Sequence, residues 1–341
     1  MPAKGISLHL GLNGVDPIHY GGWDGALSAC EFDAKDMTTL AKAQGFAAQT
    51  LLTRQATSAA VIGAIQQAAA TLESGDIFFL SYSGHGGQMP DTNGDEVDGQ
   101  DETWVLFDRE LVDDELYALW GRFAAGVRIV MLSDSCHSGT MARFMPTFLR
   151  ANGGMVMPPK SRLMPPEVAL RTYRRNKALY DGIQKKAGAS QKVRVKATVL
   201  LISGCKDNQL SMDGSRNGLF TEKLRKVWNG GKFTGTHKQF RNKISALMPA
   251  TQSPNYYKVG APNPAFEAQP PFTINTSGKK NPVFGGGGGG GVFGASKPPA
   301  SKSGKRSRRK ATGRKAKMLA FGDDEANPVF GGGGGGGVFG G

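Results

Sequence analysis

The chain has 341 residues, 42 Lys and Arg against 28 Asp and Glu, and three cysteines, with no apolar run near the 18 residues that a membrane-spanning helix requires. An odd, small number of cysteines cannot make a disulfide framework, and no charged-then-apolar leader opens the sequence, so a cytoplasmic protein is expected. The net charge of +14 is unevenly spread: residues 1–149 hold 8 Lys/Arg against 19 Asp/Glu, residues 150–196 hold 12 against 2, and residues 278–341 hold 12 against 3.

Taken in order, Gly5 to Leu12 predicts a first strand, and the Gly/Asn/Asp/Pro-rich stretch after it a loop. Cys30 to Phe46 carries apolar residues at helical spacing and closes at Gly45. A strand over Gln49–Leu52 follows, then an Ala-rich helix from Thr57 or Ser58 to Leu72, then a buried strand, Ile77 to Tyr82. Pro90 to Glu102 reads as an acidic loop, Thr103–Phe107 as a strand, and Asp113 as the cap of a helix to about Phe123. Val127 to Leu132 is a near-continuous apolar run suited to a strand buried on both faces of a parallel sheet. Residues 150–196 are Pro-rich and basic, an exposed insertion with one candidate helix from Pro166 to Lys186. Ala197–Ser203 is the last buried strand, followed by amphipathic helices over Leu219–Trp228 and Lys238–Met248. Alternating strands and helices make this an α/β protein with a mostly parallel sheet. The tail repeats NPVFGGGGGGGVFG at 281–294 and 327–340 around a basic spacer, and heptaglycine predicts disorder.

Two strands deliver reactive side chains to the carboxyl edge of that sheet, where ligands bind in open α/β folds. One ends in Cys136 and the other in His85, 51 residues upstream. A thiol becomes a nucleophile at neutral pH when a base takes its proton, and His85, embedded in glycines, is the natural partner. His137 is the poorer base, since adjacent residues on an extended chain point to opposite faces. A zinc site of Cys136, His137 and His85 lacks the C-x-x-C or H-x-x-H spacing such sites use.

Five segments carry a family resemblance: LSACEFDA at 27–34, YSGHGG at 82–87, VDDEL at 112–116, DSCHSG at 134–139 and ISGCKDNQLSMD at 202–213. In order and spacing the chain resembles the caspase-like cysteine peptidases over about residues 1–275, specifically their metacaspase and bacterial caspase-homologue branch. The resemblance implies a caspase-like three-layer sandwich. Residues 1–149 would be the large-subunit-like catalytic region, 150–196 a processing linker, 197–276 a small-subunit-like region completing the same fold, and 277–341 a disordered tail. It also implies an endopeptidase working through a Cys136/His85 dyad, with the backbone amides of Gly86 and Cys136 as the oxyanion hole.

Caspases that cut after Asp carry QAC followed by Arg or Gln and Gly, whereas this chain carries DSCHSG. By resemblance Asp134, Asp33 and Ser83, with Cys30 beside them, line the S1 pocket and hold Arg or Lys. Carboxylates suit a cation there as guanidinium groups suit an Asp. No cofactor is required for the chemistry, but calcium is a candidate activator, with Asp101, Asp113 and Asp114 at the matching positions and Arg143 where a further carboxylate is expected. Asp91, Asn93, Asp95 and Glu102 fall at EF-hand-like offsets, but Glu96 replaces the loop glycine, so a solvated loop is the reading there. An Arg/Lys-directed enzyme would find self-cleavage sites in the basic insertion at Arg150, Arg162, Arg175 and Lys186. Expected partners are protein or peptide substrates with a basic P1 residue, for a monomeric enzyme. The rival reading is a caspase-like scaffold whose tail binds nucleic acid, an anionic surface or a protein partner.

Overall fold

In the computed structural model, which describes residues 2–92, 99–135, 161–190, 194–205 and 211–274, the chain opens with strand β1 (Gly5–Gly11) and helix α1 (Cys30–Ala43). Then come β2 (Ala47–Leu52), α2 (Ser58–Thr71), β3 (Ile77–Ser83), β4 (Gly86–Pro90), β5 (Gln100–Val105) and β6 (Glu110–Val112). They lead into α3 (Asp113–Trp120), β7 (Arg128–Asp134), α4 (Pro166–Arg175) and α5 (Lys177–Ser190). The described chain closes with β8 (Thr198–Ser203), α6 (Leu219–Trp228), α7 (His237–Ser245) and β9 (Asn255–Gly260).

Six strands form one sheet in the order β2-β1-β3-β7-β8-β9, parallel throughout except at β8–β9. The apolar runs are continuous because both faces are covered. Phe78, Leu80, Ile129, Met131, Val199 and Leu201 pack with Val61 and Ile65 of α2 and Leu116 of α3. Their neighbours Phe79, Val130, Leu132, Leu200 and Ile202 face the other way, onto Met37 of α1, Leu224 of α6 and Phe240 of α7. The result is a three-layer sandwich of the caspase-like kind. The chain runs outward from β1 to β2 and returns to β3 on the other side of β1, so the crevice at the carboxyl ends of β1 and β3 lies at the switch in strand order.

Several expectations change. Asp113 begins α3 while Val112 is the cap residue, because the Glu115 side chain reaches back to the Val112 amide at 3.2 Å. Asp101 and Glu102, read as part of an acidic loop, are buried in β5 of a small antiparallel sheet β4-β5-β6. After the buried strand of 197–203, a further, largely half-exposed strand that was not expected, the Asn- and Tyr-bearing β9, adds to β8 at the sheet edge.

The basic insertion is not uniformly exposed. Asn176 leaves helical geometry and splits the single expected helix into α4 and α5. Tyr173 and Tyr180 are buried with Met89 and Val112, while Arg171, Arg174 and Arg175 of α4 face outward. Cys136, His137, Arg143, Arg150 and the whole Gly-rich tail lie outside the described residues.

Candidate active site

Strand β3 ends at Ser83, and its parallel register with β7 sets Ser83 directly opposite Asp134. After Ser83 the chain passes through Gly84 and His85 into β4. Tyr82, stacked on Trp104 with ring centroids 4.4 Å apart, donates its hydroxyl to the His85 carbonyl at 2.6 Å and fixes this turn. The His85 ring is buried against Trp23, and its Nε2 bonds the Gly25 carbonyl at 3.1 Å. Only a protonated Nε2 can donate to a carbonyl, so the neutral ring keeps its lone pair on Nδ1, which has no hydrogen-bond partner among the described residues. Burial holds the ring's pKa down at about 4, against the Gly25 carbonyl and a smaller opposing effect from Leu163. At neutral pH the His85 ring is therefore neutral. The run that leads to Cys136 is described as far as Ser135, whose carbonyl accepts a 3.3 Å contact from the buried thiol of Cys205.

Beside His85, the four residues expected in S1 come together around a side chain of the same protein. Arg162 is fully buried. Its guanidinium contacts Asp33 at 2.7 Å, Asp134 at 2.9 Å and Asp213 at 2.9 Å, and donates to Ser83 Oγ at 2.8 Å. Each carboxylate is itself supported. Asp33 accepts from Asn217 at 2.9 Å and from the Gly218 amide at 3.1 Å. Asp134 accepts from Ser211 at 2.6 Å and Thr221 at 2.9 Å, and Asp213 from the amide and hydroxyl of Ser28 at 2.8 and 2.9 Å. Burial raises the Asp33 carboxyl above its ordinary range despite Arg162. Burial pushes Asp213 the same way, but there Arg162 and the Ser28 bonds win and the carboxyl sits low. Cys30 is buried at the rim, and burial drives its thiol up to about 12, so it is no nucleophile.

The backbone of this segment is held as firmly as the side chain. The Arg162 amide donates to the Ser211 carbonyl at 2.9 Å, and the Gly86 amide donates to the Arg162 carbonyl at 3.0 Å. The Met164 amide returns to the Gly86 carbonyl at 2.8 Å. Residues 161–164 thus lie extended between β4 and the loop before α6, with the Arg162 carbonyl on the amide expected to serve as an oxyanion donor.

Two residues here were not anticipated. Asp213 closes the motif at 202–213 but was given no role, and Gly218 lies against the guanidinium, where an added Cβ would stand 2.6 Å from the Arg162 Cζ. A third surprise is Arg162 itself, expected as a cleavage point and found occupying the pocket. Of the other cleavage candidates, Arg175 and Lys186 sit on helical backbone, which cannot present an extended strand to a protease.

Asp101, Asp113 and Asp114 also converge. Their side chains are buried, and one carboxylate oxygen of each lies within 4.8 Å of the others. An all-oxygen acidic donor set of this kind fits a hard divalent cation such as calcium. Asp101 pairs with Met89 across β4–β5, so the cluster is built on the strand next to the one that begins with the Gly86 amide.

Among the described residues no helix is long and apolar enough to cross a membrane. The chain is similar to metacaspase-1 of Mycosarcoma maydis, 30% identical over 237 residues that cover 60% of this chain and 58% of that protein. It is also similar to metacaspase-1 of Eremothecium gossypii, 34% identical over 191 residues, 48% of this chain and 42% of that one. The match thus spans about half the length of these relatives. A solved structure from Geobacter sulfurreducens is 56% identical, with a TM-score of 0.71 over 80% of this chain and 99% of that one. The sequence model of the caspase domain matches residues 15–272, most of the folded part and every segment that builds the pocket around Arg162, and the chain belongs to the caspase domain family.

Proposed function

We propose that the protein is a cysteine endopeptidase that cuts after Arg or Lys, and that the Arg162–Leu163 bond is its own first substrate. One observation carries this reading: an internal arginine is held by three carboxylates while its carbonyl rests on the Gly86 amide beside an unprotonated histidine. In the proposed reaction His85 takes the proton of the Cys136 thiol, and the sulfur attacks the carbonyl carbon of the P1 residue. The carbonyl oxygen gains negative charge, which the Gly86 and Cys136 amides stabilise. The C–N bond then breaks, the leaving amine receives its proton from His85, and water hydrolyses the thioester to release the carboxyl product.

Active protein is expected to yield a fragment whose N-terminus is Leu163, read by mass spectrometry. Cys136→Ala should remove both that fragment and the cleavage of Arg- and Lys-terminated peptides. Active enzyme that stays intact at Arg162 would contradict the self-processing, and peptide turnover by Cys136→Ala would contradict the nucleophile.

Calcium activation belongs to the same proposal. Asp101, Asp113 and Asp114 would hold the ion, which would neutralise their mutual repulsion beneath β4–β5. Chelator should lower peptide turnover and added calcium restore it, and calcium should raise the melting temperature of the Cys136→Ala protein. Turnover and melting indifferent to both would remove calcium from the account.

A further inference from the structure

Beyond the residue that fills S1, the segment after it marks a second recognition site. Met164 lies two residues past the Arg162–Leu163 bond and is 1% exposed. Its amide is fixed to the Gly86 carbonyl, so its position along β4 is set by backbone pairing rather than by the helix that follows. The side chain enters an apolar recess with Val15, Tyr20 and Val105, and Trp23 packs at its edge. Trp23 is also the ring that lies against His85, with centroids 4.8 Å apart, so the recess adjoins the catalytic base. Gly87 leaves the recess room on that side: a Cβ there would stand 2.8 Å from the Met164 Cε. Tyr20 is anchored by its hydroxyl on the Leu106 carbonyl at 2.7 Å, which leaves only its ring to face the recess. Val168 and Ala169 of α4 complete the enclosure in this chain, but every other wall belongs to the body of the catalytic region.

We infer that this recess is the S2′ subsite, selecting an unbranched or γ-branched apolar side chain, methionine or leucine, two residues after the cleaved bond. The inference rests on the reading of Arg162–Leu163 as a bound substrate strand, and it adds that selectivity extends past the basic residue. A small apolar pocket discriminates by shape and rejects charge, because a buried carboxylate there would have no partner.

The test uses the full-length, self-processed enzyme and internally quenched peptides of sequence Gln-Ser-Arg-Leu-X-Pro, with X as Met, Leu, Phe, Ala or Asp. For X as Met or Leu, kcat/KM should exceed that for Asp by at least about tenfold, with Ala between. Equal rates for Met and Asp would overturn the subsite while leaving the basic P1 reading intact. Replacing the peptide's Arg by Asp tests that reading separately, since cleavage should then cease whatever X is. Val105→Ala should widen the recess and raise the Phe-to-Met rate ratio at least about threefold within one preparation. That ratio is unaffected by a loss of folded enzyme, and an unchanged ratio would count against Val105 as a wall of the subsite.

Discussion

Three carboxylates around one guanidinium leave an excess of negative charge in a buried pocket, and the pocket tolerates it only because each acid has further donors. Arg162 and the Ser28 bonds hold the Asp213 carboxyl below its ordinary range, so it carries full charge toward the arginine. Asp213→Asn keeps an acceptor for the Ser28 amide but removes that charge. A charge-assisted hydrogen bond is worth about 1.5–3 kcal/mol, so KM for Arg peptides should rise roughly ten- to a hundredfold while kcat changes little. An unchanged KM would show that Asp33 and Asp134 bind the cation alone. At this scale the sequence was legible where a residue belonged to a motif with a family role, as for Asp33, Ser83 and Asp134. Asp213 and Gly218 come from a loop about 80 residues past Asp134, and nothing in their local pattern says that the loop folds back over the pocket. Asp134 likewise reaches far along the chain, accepting from Ser211 and Thr221.

Helices α4 and α5 show how composition misleads about an element. Twelve Lys and Arg over 150–196 read as a solvated linker, yet three of them, Arg171, Arg174 and Arg175, lie on one side of α4 whose other side buries Val168, Ala169 and Tyr173. What ties α5 to the body is a short polar chain. The Tyr180 hydroxyl accepts from the Glu110 amide at 3.1 Å and meets His19 Nε2 at 2.7 Å. The Glu110 side chain lies wholly buried, accepting from Thr103 Oγ1 at 2.6 Å. Burial raises its carboxyl to about 8, well above the ordinary value of 4.5. The folded protein therefore binds a proton that the unfolded chain releases between those two pH values. Stability from this group is complete below about pH 4.5 and is lost as pH rises toward about 8. The urea midpoint of the Cys136→Ala protein, relative to the same protein carrying Glu110→Gln, should fall as pH rises across that window, since the buried His9, His85 and His237 act equally on both. A wild-type-like slope in Glu110→Gln would assign the proton to another group.

Over the whole molecule, the sheet was legible where burial on both faces made a strand a solid apolar run, as in β3, β7 and β8. It was illegible in β4, β6 and β9, which are short, Gly- or Tyr-bearing, or at an edge, where pairing with a neighbour decides the conformation more than the strand's own residues do. At the end of the described chain, Arg128 on β7 donates to the carbonyls of Thr273 and Ile274 at 2.9 and 2.5 Å, which pins that segment to the sheet. Residues 278–341 then carry 12 Lys/Arg against 3 Asp/Glu, a charge excess suited to polyanions. Cutting the chain after Thr276 should leave peptide turnover and the Leu163 fragment unchanged, because every wall of the Arg162 pocket among the described residues precedes that point. The full chain, with Cys136→Ala to keep it intact, should bind a mixed-sequence DNA duplex with an affinity that falls steeply as salt rises, and the truncated chain should lose that binding. If truncation abolished turnover, the tail would be part of the enzyme, and if both chains bound DNA alike, the basic side of α4 would be the site instead.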